Sequence, residues 1–125
     1  MIDLPDVIKT YVQAYNTFDV LTMLACLSDN VVFQNLANGE VTAQANSKEE
    51  FAEMAKMGVS AFEKREQTPT HAISVGNTTH VEIDYTATVA VDLPNGWKAG
   101  QELSFQGRSS FELKDNKIIK LIDAA

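Results

Sequence analysis

The sequence predicts an α+β fold in which three helices from the N-terminal half pack on the concave face of a strongly bent, mainly antiparallel sheet. Three observations carry that prediction. Apolar residues as far as Phe62 recur mostly at helical spacing, whereas from Pro69 onward they alternate with polar residues at period two. The strands so defined run to roughly ten residues or more at about 3.3 Å each, too long to stay flat in one small domain. The sheet must therefore curl, and its concave apolar face needs helices to cover it.

Each element has its own local cause. Asp3 and Pro5 open the first helix, Pro being tolerated at the first helical position, and Val7, Ile8, Tyr11, Ala14, Tyr15 and Phe18 form its apolar face. Asp19 caps a second, short helix, DVLTMLACL, which the residues SDN end. The strand VVFQNL follows and stops at a turn, Asn38-Gly39. Ser47 and Glu50 form a capping box for the third helix, whose stripe is Phe51, Met54, Ala55, Gly58, Ala61 and Phe62, with Lys48, Glu49, Glu53, Lys56 and Glu63 opposite. Four antiparallel strands follow from Pro69, divided by Gly76-Asn77, Pro94-Asn95-Gly96 and Asp115-Asn116. In the second of these Val81, Ile83, Tyr85, Ala87, Val89 and Val91 point inward, and in the third Leu103, Phe105, Gly107, Ser109, Phe111 and Leu113 do.

A length of 125 residues, 45% hydrophobic and 22% charged, fits one globular domain over residues 1–125. Ten basic against seventeen acidic residues give a net charge of −7, which repels a phosphate backbone and an anionic membrane surface alike. Nucleic acid and membrane are therefore not expected partners. The N-terminal MIDLPD has neither the basic nor the hydrophobic region of an export signal, which reads as a cytoplasmic protein. Cys26, the only cysteine, sits among Leu24, Ala25 and Leu27 as a buried thiol rather than a nucleophile. It forms no metal-ligand spacing with His71 and His80, and there is no P-loop, G-x-S-x-G elbow or G-x-G-x-x-G, so no metal or cofactor is expected.

The passages YVQAYNTFDVLTMLACLSDNVVF and HVEIDYTATVAVDLPNGWKAGQELSFQGRSSFELKDNKIIKLID resemble the nuclear transport factor 2-like superfamily, in its SnoaL-like and ketosteroid-isomerase-like branch. The specific parts are Tyr11 eight residues before Asp19, the run L-S-D-N-V-V-F, and the final hairpin F-E-L-K-D-N-K-I. The resemblance implies a cone-shaped α+β barrel with a mostly apolar pocket, and a homodimer formed through the outer sheet face. It places Tyr11 where ketosteroid isomerases keep the phenol that donates to the substrate oxygen. Asn35 falls where they keep an aspartate base, and Ser109 where they keep a second, protonated acid. An amide donates and accepts hydrogen bonds but cannot take up a proton, so the usual steroid isomerisation is not expected.

The candidate site residues each carry two readings. Tyr11 and Tyr15, at i and i+4, are either pocket phenols or core aromatics with satisfied hydroxyls. Asn35 either contacts a ligand or bonds the neighbouring loop. Tyr85 is core or pocket wall, and Ser109 beside Gly107 leaves room either for a ligand or for close helix packing. Asp123 is the best acid or base if it reaches the pocket mouth, with His71 as the alternative proton carrier. Phe62, Phe105 and Phe111 either line the cone or fill it, and Trp97 covers the pocket or packs on its own loop. The function expected is binding of a small apolar ring compound with an isomerase-like or cyclase-like proton transfer. The alternative is a ligand-binding module or protein-interaction scaffold of the same shape without chemistry.

Overall fold

The computed structural model describes residues 2–125 as three helices and one six-stranded mixed sheet that does not close. The helices are α1 (Asp6–Asn16), α2 (Val20–Ala25) and α3 (Lys48–Ala61). The strands are β1 (Leu27–Ala37), β2 (Glu40–Ala45), β3 (Phe62–Val75), β4 (Thr78–Val89), β5 (Glu102–Lys114) and β6 (Lys117–Ala124), in the spatial order β2-β1-β6-β5-β4-β3. The β1–β6 pair is parallel and every other pair antiparallel. The α+β class and the mainly antiparallel sheet are as expected.

The helix ends follow local chemistry. Pro5 sits at the N-cap of α1, one position earlier than expected, and its carbonyl accepts from Ile8 and Lys9 at 3.0 and 3.1 Å. The helix stops at a left-handed Phe18 (φ 60°), where Asp19 N–H donates to Ala14 O and Phe18 N–H to Tyr15 O. That is the hydrogen-bond pattern of a Schellman cap, with a phenylalanine in the place glycine usually takes. Asp19 then caps α2 through Thr22 N–H at 3.1 Å. In α3, Glu50 N–H donates to Ser47 Oγ, and the Glu50 carboxylate reaches back to the N–H of Asn46 rather than to that of Ser47.

Three strand assignments differ from expectation. α3 gives way to β3 at Phe62 with no intervening turn, so Phe62 and Glu63 belong to the sheet, not to a helix stripe. Pro69 lies inside β3 at a register irregularity, which is permitted because β3 is an edge strand and a missing N–H costs no central ladder bond. The Asn38-Gly39 turn, with both residues at positive φ, is the tip of a hairpin whose second strand, β2, was not anticipated.

The core lies between the helices and the concave sheet face. Ile8, Leu27, Val31, Val81, Val89, Phe111, Ile118 and Leu121 are essentially inaccessible. Tyr11 meets Phe111 edge-on at 5.9 Å and Phe33 meets Phe51 at 5.2 Å, so aromatics fill the narrow end. Phe105 does not fill the cone: it shares the inner face with Tyr85 but is 39% exposed. Val91, expected to continue β4, lies past its end and is also exposed. Among the described residues no helix is long and apolar enough to cross a membrane.

Candidate functional site

Two polar clusters stand on the inner face. The first follows from register: Asn35 of β1 is opposite Asp123 of β6, which is opposite Ser109 of β5. Period-two alternation turns Asp123 inward in phase with buried Leu121, so the carboxyl leaves water for the interior. Ser109 Oγ donates to Asp123 Oδ1 at 2.6 Å. Burial raises the Asp123 carboxyl from 3.8 to about 6, and the Ser109 bond opposes part of that rise. Tyr11 lies above this row. Its phenol is raised well above the ordinary value by burial and then by the Asp123 charge, so it stays protonated and keeps an O–H to donate to an anionic or carbonyl oxygen. The aromatic contacts that hold the Tyr11 ring are those with Phe51 and Phe111.

Asn35 stands beside Asp123, yet its amide nitrogen already donates to Thr42 Oγ1 at 2.9 Å, and Thr42 Oγ1 donates to the Asn35 carbonyl. A neighbouring strand thus takes one of the two N–H donors of this amide and also bonds the backbone carbonyl of Asn35. The room expected at Gly107 is also taken: a Cβ there would lie 3.0 Å from the carbonyl oxygen of Ala124.

The second cluster lies toward the open end. Tyr15 Oη and Tyr85 Oη are 2.9 Å apart, and burial raises both phenols. The Tyr15 ring lies under the guanidinium of Arg65 at 3.7 Å, with Phe18 on the same group at 4.6 Å. Arg65 is 6% exposed, and no carboxylate pairs with it among the described residues. Its Nε donates instead to Tyr15 O at 2.8 Å, in the last turn of α1, where the helix dipole is negative and that turn has no basic residue of its own. Gln67, two residues on, faces the same way and pairs in register with Tyr85. Its backbone is clamped from both sides by the Asn16 carboxamide, at 2.7 and 3.0 Å.

The family model of the SnoaL-like domain matches residues 8–121. The chain belongs to the SnoaL-like family. The match places this SnoaL-like protein in the nuclear transport factor 2-like superfamily, as the quoted passages implied. No curated protein matches it. Among solved structures it is similar to a candidate polyketide cyclase of Silicibacter sp., at 25% identity, TM-score 0.80, with 94% of this chain and 85% of that one covered. It is similar also to a candidate polyketide cyclase of Xanthomonas campestris pv. campestris (18%, TM-score 0.81, 96% and 87% covered) and to an LEH-like epoxide hydrolase of M. tuberculosis (17%, TM-score 0.75, 96% and 80% covered). The latter two are likenesses of fold alone.

The remaining expected site residues of the SnoaL-like chain are dispersed. His71 is a correction: it points outward from β3, its Nδ1 lies 3.2 Å from Glu82 Oε2 and its side chain is 78% exposed, so it does not join Asp123. The Pro69/His71 irregularity decides which face His71 takes. Phe111 is core. Phe62 packs on Trp97 at 6.4 Å and Tyr85 on Phe105 at 5.0 Å, giving the open end an aromatic border. Grooves of about 630 and 450 Å³ are bordered mainly by outward residues such as His71, Glu82, Arg108 and Ile122. Among the described residues no three His, Cys, Asp or Glu side chains gather as metal ligands. Arg65 and Gln67 escaped sequence reasoning because FEKREQT reads as a solvated charge run, and Asn16 because it is one polar residue at the end of α1. The available signal was that Arg65 and Gln67 alternate with Glu66 at strand period.

Proposed function

We propose that this protein binds a small, largely apolar ring compound in the cone between helices and sheet, and that Asp123 transfers a proton there in an isomerase-like or cyclase-like reaction. The observation that carries the reading is a carboxyl that Ser109 holds on the inner face by a 2.6 Å hydrogen bond, raised to about 6 by burial and near enough to the protonated Tyr11 phenol for its charge to act on it. A carboxylate tuned toward neutrality can take a proton from carbon or oxygen and return it, while Tyr11 stabilises charge developing on a ligand oxygen. Likeness to the Silicibacter candidate polyketide cyclase favours the same chemistry. His71 has no part in it. The test is deuterium exchange at carbon beside the carbonyl of cyclic and polycyclic ketones, followed by NMR. Asp123→Asn is expected to slow exchange by about 100-fold or more. An unchanged rate removes Asp123 as the proton carrier.

One observation favours binding without chemistry: Asn35 stands where the resemblance puts a catalytic base, and its amide is tied to Thr42. Ligand-induced stabilisation with no exchange for any ketone would decide for that reading. As to partners, the outer face of the sheet, grooved and largely polar, suits a homodimer interface.

A further inference from the structure

The second inner cluster carries an unfilled hydrogen-bonding pattern that the proton-transfer reading does not use. Gln67 is 8% exposed, and its Oε1 is fully out of contact with solvent without a donor. Buried carbonyl oxygens of this kind nearly always have a partner. The backbone from which it projects is fixed, because Asn16 bonds both its N–H and its carbonyl and β4 pairs with it at Tyr85. Opposite it stands the Tyr15–Tyr85 hydroxyl pair. Two phenols hold two hydroxyl protons, and one contact between them uses only one. The pair therefore keeps a free O–H donor, and Tyr85 shares one face of two neighbouring strands with the free amide acceptor of Gln67.

A ketone or ether oxygen could accept from the phenol but would leave Gln67 Oε1 without a donor. A hydroxyl does both, accepting from the phenol pair and donating to the amide oxygen. We infer that Tyr15, Tyr85 and Gln67 form a subsite for a hydroxyl carried on the ligand's ring, so that the compound bound in the cone carries a phenol, enol or alcohol hydroxyl in addition to any carbonyl acted on at Asp123. This rests on the pocket reading above and adds the polar group by which the ligand is oriented. Phe105, stacked on Tyr85 at 5.0 Å and 39% exposed, marks the side from which the ring enters. The subsite is separate from Asp123, since Tyr85 lies four residues along β4 from Val81, the residue opposite Ser109.

The probes are 2-naphthol and 2-methoxynaphthalene, which share the ring and the acceptor oxygen and differ in the donor. Their dissociation constants are measured by isothermal titration on the wild type and on Gln67→Met. The shift of the Gln67 side-chain amide is read by NMR, which also shows whether each variant is folded. The wild type is expected to bind the naphthol about tenfold tighter or more, the preference being lost in Gln67→Met through weaker naphthol binding alone, with the amide signal moving only for the naphthol. Equal affinity of the wild type for both compounds overturns the hydroxyl subsite while leaving the pocket reading in place. Binding of neither compound overturns both.

Discussion

Moving the Asp123 carboxyl from water to the inner face of β6 means that the folded chain holds its proton more tightly than the unfolded chain does. The folded value is about 6 against 3.8, so the stability contributed by protonation is fully present below pH 3.8 and lost as pH rises through 6. Above that the ionised carboxyl costs roughly 3 kcal/mol. Asp123→Asn is thus expected to raise unfolding free energy at pH 8 by up to that amount and to change it little at pH 3, as read from urea unfolding at both. An equal effect at the two pH values would show that something other than ionisation sets the cost. Ser109 acts in the opposite direction. Its hydroxyl stabilises the carboxylate, so Ser109→Ala should push the Asp123 titration further up, seen in the carboxyl carbon shift by NMR. In the proposed reaction the ionised form is the base, so the exchange rate should rise with pH to a plateau above about 6.

Among the elements, α1 depends on a residue far away in sequence. Its last turn contains no cation, and Arg65 of β3 supplies one, sandwiched by Tyr15 and Phe18 and bonded to the Tyr15 carbonyl. Arg65→Met should remove the shorter of the two hydrogen bonds to that carbonyl, leaving only the Phe18 N–H at 3.3 Å, and remove both ring contacts, costing about 2 kcal/mol in chemical denaturation. A substitution without effect would mean that water replaces the guanidinium freely. At the other helix, Ser47→Ala removes a single cap bond and should cost about 1 kcal/mol, a fall of about 3 °C in Tm. Gly107 is needed for close approach. A Cβ there presses on the Ala124 carbonyl at 3.0 Å, and backbone cannot yield as a flexible side chain does. Gly107→Ala is expected to displace the end of β6 and with it Asp123, so that exchange activity falls although no reacting group has changed.

At the scale of the molecule, an open sheet leaves one face for the core and one for the surroundings. Ile122 and Ala124 stand on the outer face among polar neighbours, bordering the grooves. If that face forms the homodimer proposed above, sedimentation equilibrium should give twice the mass of the chain. Ile122→Glu should then return it to a monomer, by placing like charges across the two-fold axis. A wild type that sediments as a monomer at high concentration would rule the interface out.

Periodicity alone determined the α+β class, the period-two strands β4 and β5, the caps at Asp19 and Ser47, and the inward direction of Tyr11, Tyr15, Tyr85 and Ser109, because each is set by neighbours a few residues apart. The family, too, was legible in the runs around Tyr11 and the last hairpin, because they span most of the chain. The tertiary structure alone decided that Asp123 turns inward while His71 turns out, since a single irregularity in register reverses every side chain beyond it. It also decided that Arg65 and Gln67 belong inside. In a charged run, burial is not written in residue type; it depends on which helix end or hydroxyl the fold brings within reach. The sequence therefore carried the scaffold, and only strand register and the packing of α1 against β3 assembled the two polar clusters, in which Tyr15 meets Tyr85 seventy positions away and Asn35 lies beside Asp123.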